Sequence, residues 1–397
     1  MFFIDYVLIN QPKQMRSMKL AYVTPYDARD INNWSGLGYY IAQSLQGEAV
    51  SLDYVGPLKD RFSSKLLRKY KRHYHELFHK KYLRDPEPFI LKDYAKQISQ
   101  KMSSTNPDVV FSPTSIPIAY LESDRPIAFW ADATFAGVLD FYPHYSNLCQ
   151  ETIKHGHLME TIAFQRAALA IYASDWAAKT AIEHYGADPA KVKVVPFGAN
   201  IEDEKTLDEV KVLVKSRSTK VCKLLLLGVD WLRKGGDVAF KVAQELNASG
   251  LKTELTVVGC QPIIEGLLPD FVKPLGFISK STPEGKQKIS RLIAESHFLI
   301  VPSQAECYGV VFCEANALAV PCLATDVGGI PTIIKDDMNG KLFSLTADVA
   351  SYCDYITNLF TNYAEYEQLA LSAFHEYQSR LNWTVAGRTV RRLLMNL

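Results

Sequence analysis

Short apolar runs that alternate with helical patterns constrain the fold of this chain more than any other feature of its sequence. Such runs occupy residues 19–25, 108–112, 127–130, 170–174 and 192–196, and then residues 222–228, 254–259, 297–302 and 321–325. Strands that alternate with helices predict a parallel sheet with helices on both of its faces. Two such series in succession predict an α/β protein of two doubly wound, Rossmann-like domains. These domains face each other across a cleft, with ligands bound at the carboxyl ends of the strands.

The length of the chain and one change in its composition support this division. A chain of 397 residues exceeds what a single hydrophobic core usually supports. Residues 202–220 are charged, poor in aromatic residues and without strand signals, so we expect a linker there. The N-terminal domain then covers 19–201 and the C-terminal domain 221–375, followed by a helical segment, 376–397, that either stays with the second domain or returns to the first.

The first residues are predicted to lie outside the fold. Their apolar stretch is too short to span a bilayer, contains Asp5, and lacks the preceding basic region of a secretory signal. Strand periodicity begins only at Lys19. We therefore interpret residues 1–18 as an extension, either native or upstream of the true start.

Charge and cysteine content exclude several classes of protein. The formal net charge is +1, which gives no global reason to expect a nucleic acid as partner. The seven cysteines form no close CxxC pair, which favours a reduced, cytoplasmic protein without structural zinc. His144, His155 and His157 show no metal-ligand spacing with carboxylates, so we expect no metal.

The most informative segment is 302–334, PSQAECYGVVFCEANALAVPCLATDVGGIPTII. Glu306 follows a predicted strand, and Glu314 comes after seven intervening residues, about two helical turns further on, in a helix that opens near Tyr308-Gly309-Val310. Two carboxylates so placed can hold two hydroxyl-bearing rings, one a sugar and one a ribose. The alternative is one solvated glutamate and one that caps the helix.

This segment resembles the E-x7-E donor site of the retaining glycosyltransferases with the GT-B fold, family 4. Other parts of the family pattern follow in the same order along the chain: the loop 34–38 (WSGLG), 195–200 (VPFGAN), 228–237 (GVDWLRKGGD) and the turn 328–331 (GGIP). The resemblance runs from about Lys19 to the C-terminus. It implies a GT-B fold in which the N-terminal domain holds the acceptor and the C-terminal domain holds the nucleotide-sugar donor.

The resemblance also implies roles for individual residues. Glu314 would bind the ribose of the donor, and Lys234 would bind its diphosphate. Glu306 would contact the transferred sugar with help from the backbone of three neighbours, Cys307, Tyr308 and Gly309. Gly36 and Gly38 would let the backbone approach the leaving phosphate, although G-L-G is equally compatible with an ordinary turn.

Two positions depart from the family pattern. Val229 stands where the family tends to have an arginine, and we expect Arg233 to supply the missing charge beside Lys234. A surface turn is the alternative for these two cations. Asp132 stands where many members have a histidine facing the donor sugar. It either interacts with the sugar or with charge at the anomeric carbon, or it serves as a helix N-cap or turn residue.

A basic stretch from 59 to 84 is the other unusual feature. Its cations include Lys65, Arg68, Lys69, Lys71, Arg72, Lys80, Lys81 and Arg84. One interpretation is a solvated helix face. The other is peripheral docking on an anionic membrane surface, at the inner membrane face, or on an acidic acceptor.

The function that the resemblance implies is transfer of a hexosyl-type unit, without metal or cofactor and with retention of anomeric configuration. The donor would be a UDP- or GDP-sugar. The acceptor, whether glycan, lipid-linked glycan or small molecule, is not identified by the sequence. Two alternatives stay open: a nucleotide-sugar epimerase of the same fold, and a catalytically silent module that binds sugar nucleotides.

Overall fold

A computed structural model describes residues 17–60, 62–202 and 204–397, with side chains from residue 65 onwards in the second range. Almost all of the expected extension, residues 1–16, lies outside this description. The described residues form two six-stranded sheets, and every pair of neighbouring strands is parallel. The predicted doubly wound α/β architecture is confirmed.

The first sheet precedes the expected linker. Its strands are β1 (Met18–Val23), β2 (Val50–Val55), β3 (Val109–Ser112), β4 (Ile127–Ala131), β5 (Leu169–Tyr172) and β6 (Val192–Val194). Its helices are α1 (Leu37–Gly47), α2 (Phe62–Glu76), α3 (Pro88–Met102), α4 (Phe135–Val138), α5 (Gln150–Arg166) and α6 (Asp175–Tyr185). The first strand thus begins one residue before the expected boundary, at Met18.

The second sheet follows a helix, α7 (Leu207–Ser216), that lies within the expected linker. Its strands are β7 (Cys222–Leu227), β8 (Thr253–Val258), β9 (Val272–Gly276), β10 (Phe298–Val301), β11 (Cys322–Thr325) and β12 (Gly340–Phe343). The remaining helices are α8 (Gly236–Ala248), α9 (Pro283–Ala294), α10 (Val310–Asn316), α11 (Ile330–Ile333), α12 (Val349–Thr361), α13 (Tyr363–Arg380) and α14 (Trp383–Leu394). Within the described ranges, no helix is both long enough and apolar enough to cross a bilayer.

Strand order determines where a ligand can bind. The orders are β2-β1-β3-β4-β5-β6 and β12-β11-β10-β7-β8-β9, so the winding reverses between β1 and β3 in one sheet and between β7 and β10 in the other. Crevices form at such reversal points, beyond the carboxyl ends of the strands. The loops that follow β1, β7 and β10 carry Gly36, Lys234 and Glu306 respectively.

The last helix joins the two domains. α14 follows α13 but packs against α1 of the first domain, where Gly387 lies close to the backbone of Ser44. Its first residue, Trp383, stacks on Tyr40 and packs edge-on against Trp130 of β4. Burial of these large aromatic faces favours one fixed arrangement of the two sheets.

Candidate functional site

Glu306 lies at the centre of the cleft. It is almost completely buried in the loop that follows β10. One carboxylate oxygen pairs with the ammonium of Lys234 and lies 3.7 Å from Nη1 of Arg233. The other oxygen accepts a hydrogen bond of 3.2 Å from the hydroxyl of Tyr142. Two cations and a phenol therefore satisfy a carboxylate that would be costly to bury alone.

The two cations belong to the loop that follows β7. Lys234 is only 8% exposed. Arg233 donates from Nη1 to the carbonyl of Ala305 at 3.1 Å, and its guanidinium lies 5.0 Å from the ring centroid of Tyr142. Neither side chain is in open solvent, so the surface-turn interpretation of this pair is wrong. Val229, by contrast, is largely exposed.

Tyr142 connects the domains directly across the cleft. It belongs to the first domain, in the loop between α4 and α5, and it also accepts a hydrogen bond of 3.0 Å from the backbone N–H of Cys307. Burial, together with the nearby charge of Glu306, raises the pKa of Tyr142, so the phenol keeps its proton and can donate. No motif in the sequence indicated this residue, because its partner lies 164 residues away.

The residues that follow Glu306 set the course of the backbone, and their side chains pack inside the protein rather than enter the cleft. Cys307 and Tyr308 are buried, and the Tyr308 hydroxyl donates to the carbonyl of Phe197 at 2.7 Å. Gly309 has a φ of +93° and precedes the first turn of α10. A side chain would be strained at this φ, so glycine fits the position best. The helix begins at Val310, where the sequence predicted it.

Glu314 is buried on α10 and faces a different partner. Both of its oxygens accept hydrogen bonds from the ammonium of Lys280, at 2.6 and 2.5 Å. Lys280 lies in the loop between β9 and α9. The sequence did not predict strand β9, so it gave no reason to place Lys280 in the site. Glu314 and Lys280 line a cavity of about 560 Å³ that also contacts Asn200, Glu202 and Lys286.

Asp132 lies in a bend directly after β4. Burial raises the pKa of this carboxyl from its ordinary value of 3.8 to about 6, and the charge of Glu306 adds to the effect. The N-cap interpretation is wrong, because Thr134 caps α4 by accepting a hydrogen bond from the Gly137 N–H at 3.1 Å. Hydrogen bonds from the backbone N–H groups of Asp132 and Ala133 partly offset the rise in pKa, so the turn interpretation of Asp132 is compatible with the structure.

Asp132 also lines a second cavity, of about 440 Å³, which lies in the first domain. Polar side chains in its wall include Tyr26, Arg84, Thr114 and Glu160. Burial raises the pKa of Glu160 to about 7, and one of its oxygens accepts a hydrogen bond of 2.8 Å from Ser115. The cavity thus combines hydroxyls with weakly acidic carboxyls.

The predicted glycine loop leads into α1. Gly36 has a φ of +82°, a left-handed conformation that disfavours other residues. Gly38 has a different explanation, since a Cβ there would lie 2.6 Å from the Tyr26 hydroxyl. The Tyr22 hydroxyl also donates to the Gly38 carbonyl at 2.7 Å. The close approach of Tyr26 is thus sufficient reason for the second glycine.

Only one group of side chains in the described ranges has a geometry suited to a metal ion: Glu87, Glu151 and His155. The ammonium of Lys71 already lies 3.0 Å from Glu87 and 2.7 Å from Glu151, which neutralises these carboxylates. The group is contributed by the segment before α3 and by α5, not by the loops that carry Glu306 and Lys234.

Comparison with known proteins identifies the second domain. Residues 222–362 match the family model described as Glycosyl transferases group 1. Curated relatives include the D-inositol 3-phosphate glycosyltransferases of Nocardioides sp. strain JS614, 26% identical over 247 residues (56% of this chain and 52% of the relative), and of Thermobifida fusca, 28% identical over 221 residues (52% and 50%). The chain spans about half the length of the curated relatives it matches.

Solved structures extend the likeness to both domains. Sucrose-phosphate synthase from Thermosynechococcus elongatus superposes with a TM-score of 0.68 at 13% identity, over 96% of this chain and 98% of that one. Anabaena HepE, solved with UDP and glucose, gives 0.60 at 16% identity, over 96% and 100%. These identities support the fold alone. Residues 222–362 are thus a glycosyl transferases group 1 domain, set within a chain that has the GT-B fold.

Proposed function

We propose that this protein transfers a sugar from a nucleotide-sugar donor to a hydroxyl of an acceptor, as a retaining, metal-independent glycosyltransferase of family 4. The observation that carries the proposal is the buried group of Lys234, Arg233 and Glu306, with the Glu314 cavity on the donor domain and the Asp132 cavity on the other domain. Binding groups for a diphosphate, a ribose and a sugar are thus available around one cleft.

Donor binding exchanges partners that the side chains already have. Lys234 and Arg233 turn from Glu306 to the diphosphate, since cations form strong charge-assisted hydrogen bonds with phosphate oxygens. Glu306 is then released to accept hydrogen bonds from hydroxyls of the transferred sugar. Glu314 exchanges the ammonium of Lys280 for the ribose hydroxyls. The buried groups Lys234, Glu306 and Glu314 remain paired in both states, which limits the cost of burying them, whereas the exposed ammonium of Lys280 is released to water.

The chemical step relies on charge that grows on the leaving diphosphate. Fixed cations in a site with little water stabilise that charge more in the transition state than in the ground state. An oxygen of the leaving phosphate takes the proton of the attacking hydroxyl, so the proposal needs no protein nucleophile. Asp132, ionised above pH about 6, stabilises positive charge that develops at the anomeric carbon.

The acceptor occupies the Asp132 cavity in this proposal. Its wall offers the hydroxyls of Tyr26 and Thr114 and the carboxyls of Asp132 and Glu160, which suit a ligand rich in hydroxyl groups. The lining cation Arg84 is already bound to Asp60, 2.9 Å away. A neutral polyol or sugar end therefore fits better than a phosphorylated one, unlike the inositol phosphate in the relatives' names.

The test begins with thermal shifts in UDP, GDP and ADP, because a ligand that binds only the folded state raises the melting temperature. UDP is the first choice, since HepE was solved with UDP and glucose. The sugar nucleotide with the preferred base is then incubated with the enzyme and followed by proton NMR. Slow release of an α-configured sugar from an α-linked donor supports a retaining transferase. Epimerised donor supports the epimerase alternative, and binding without any reaction supports the silent module.

Replacement of Glu314 by glutamine should weaken nucleotide binding by roughly 1.5–3 kcal/mol, because it removes a charge-assisted hydrogen bond to the ribose. Calorimetry with the nucleoside diphosphate measures the change. Glu245→Gln, at an exposed position of the same domain, is the matched control. Equal affinity in the two variants would rule out the ribose role.

Arg233→Ala should lower kcat nearly as much as loss of Lys234 does, because Arg233 replaces the charge that Val229 lacks. The expected loss is about 100-fold. Arg233→Lys separates charge from geometry, since lysine keeps the charge but loses the bond to the Ala305 carbonyl and the stacking on Tyr142. Full activity of the alanine variant would refute the compensation.

Transfer activity should be unchanged in EDTA. Lys234 and Arg233 supply the positive charge that a divalent cation would otherwise bring to the diphosphate. Activity is measured before and after chelation, and again after Mg²⁺ or Mn²⁺ is added back. Loss on chelation with recovery on addition would contradict the proposal.

A further inference from the structure

Helix α2 contacts the rest of the first domain through charged side chains, whereas an ordinary surface helix does so through apolar ones. From residue 65 to its end, the side chains that are partly buried are Arg68, Lys71 and His75. Arg68 pairs with Asp60 at 2.9 Å, Lys71 with Glu151 at 2.7 Å, and His75 with the same Glu151 at 3.3 Å. The helix is therefore held to the first domain by its charged face.

A second face of α2 and its final turn is apolar and faces solvent. Six large side chains there are between 43% and 68% exposed: Leu66, Leu67, Tyr70, Tyr74, Leu77 and Phe78. At about 100° per residue, all six fall within one stripe about 120° wide. Soluble domains normally turn such a stripe toward their own core, so its exposure indicates an apolar partner.

Cations border this apolar stripe. Residues 65–81 contain seven lysines and arginines and one acidic residue, whereas the whole chain has a net charge of only +1. Lys65, Lys69 and Arg72 are exposed along one edge of the stripe. An apolar stripe with a cationic edge matches the boundary between anionic headgroups and acyl chains.

We propose that α2 and its final turn, residues 65–81, dock this protein on an anionic membrane surface. The apolar side chains enter the headgroup boundary and the lysines pair with lipid phosphates. A second copy of the chain is a poorer partner, because a two-fold contact through this face would bring the same cations together. This inference is independent of the donor and acceptor assignments.

The docking surface is connected to the cleft through hydrogen bonds of the loop that carries Tyr142. The Lys81 N–H donates to the Asn147 carbonyl at 2.9 Å, and the Cys149 N–H donates to the Lys81 carbonyl at 2.8 Å. The ammonium of Lys81 donates to the Pro143 carbonyl at 2.6 Å. A membrane surface to which α2 is docked therefore lies beside the loop whose Tyr142 contacts Glu306.

Sedimentation with vesicles tests the docking. The full chain is mixed with vesicles of phosphatidylcholine alone, or of equal parts phosphatidylcholine and phosphatidylglycerol. Binding is expected to the second kind only. Lys65→Gln with Lys69→Gln should lower the partition coefficient about 30-fold, since each cation near such a surface contributes roughly a factor of five. Leu66→Ser with Tyr70→Ser and Leu77→Ser should abolish detectable binding.

Matched controls lie on other exposed helices of the same chain. Val212→Ser removes an exposed apolar side chain from α7, and Lys179→Gln removes an exposed cation from α6. Both should bind like the unchanged protein, and circular dichroism checks that every variant is folded. Absence of binding to either vesicle would overturn the proposal. So would equal binding to both kinds, or a dimer in light scattering that the serine variant abolishes without any vesicle binding.

Discussion

Lys234→Ala should lower kcat for glycosyl transfer by roughly 100- to 1,000-fold, the largest loss expected of any single substitution in the donor loop. Charge on the diphosphate increases as the glycosidic bond breaks, so a fixed cation stabilises the transition state more than the bound donor. The KM for the donor should change much less. Steady-state kinetics with the preferred sugar nucleotide measure both quantities.

Two further variants make this result interpretable. Lys234→Arg keeps the charge at the same backbone position and should recover part of the lost rate. Lys288→Ala removes an exposed cation from α9 of the same domain and should leave kcat unchanged. A rise in KM at constant kcat would mean that Lys234 only binds the donor, and the catalytic role would have to be abandoned.

Asp132→Asn should have the second large effect, a loss of roughly 100-fold in kcat with little change in donor affinity. Asparagine keeps the size and the hydrogen-bonding reach of the side chain but cannot carry the charge. In the unchanged enzyme, kcat should rise with pH through about 6, where the carboxyl ionises. The asparagine variant should lack this rise, and a pH–rate profile of both proteins measures it.

The same substitution should stabilise the fold. The folded protein keeps the Asp132 proton up to pH about 6, whereas an unfolded chain releases it near the ordinary value of 3.8. Between these values the folded state binds more protons, so the contribution of this group to the free energy of unfolding falls as pH rises. Above pH about 6, Asp132→Asn should therefore raise the melting temperature. The gain should disappear near pH 4.

Opposite effects on activity and stability distinguish a functional carboxylate from a structural one. Asp124→Asn, at an exposed position shortly before β4, is the matched control and should change neither quantity. An Asp132→Asn enzyme with full activity would show that the carboxylate has no part in the reaction. Lower stability at neutral pH would show that the charge is not desolvated in the way described.

Burial separates the strands that sequence analysis found from those it missed. β4 and β10 are buried along their whole length, and such strands appear as short continuous apolar runs. The sequence pattern did not predict β2, β9 and β12, and all three lie at the edges of their sheets. An edge strand is partly exposed, so polar residues or proline interrupt its pattern. The apolar pattern therefore predicted the interiors of both sheets and one border strand, β6, but not the other three borders.

The candidate site divides in a similar way. From the sequence by itself, spacing within one chain segment predicted the pair Glu306 and Glu314 and the helix that opens at Val310, and the resemblance to the family predicted Lys234. Only the tertiary structure brought Tyr142 to Glu306 and Lys280 to Glu314. It also decided that Asp132 does not cap a helix and has a raised pKa. Hydrogen bonds across a cleft and desolvation depend on distance in space and on excluded water, and neither is encoded in local residue spacing.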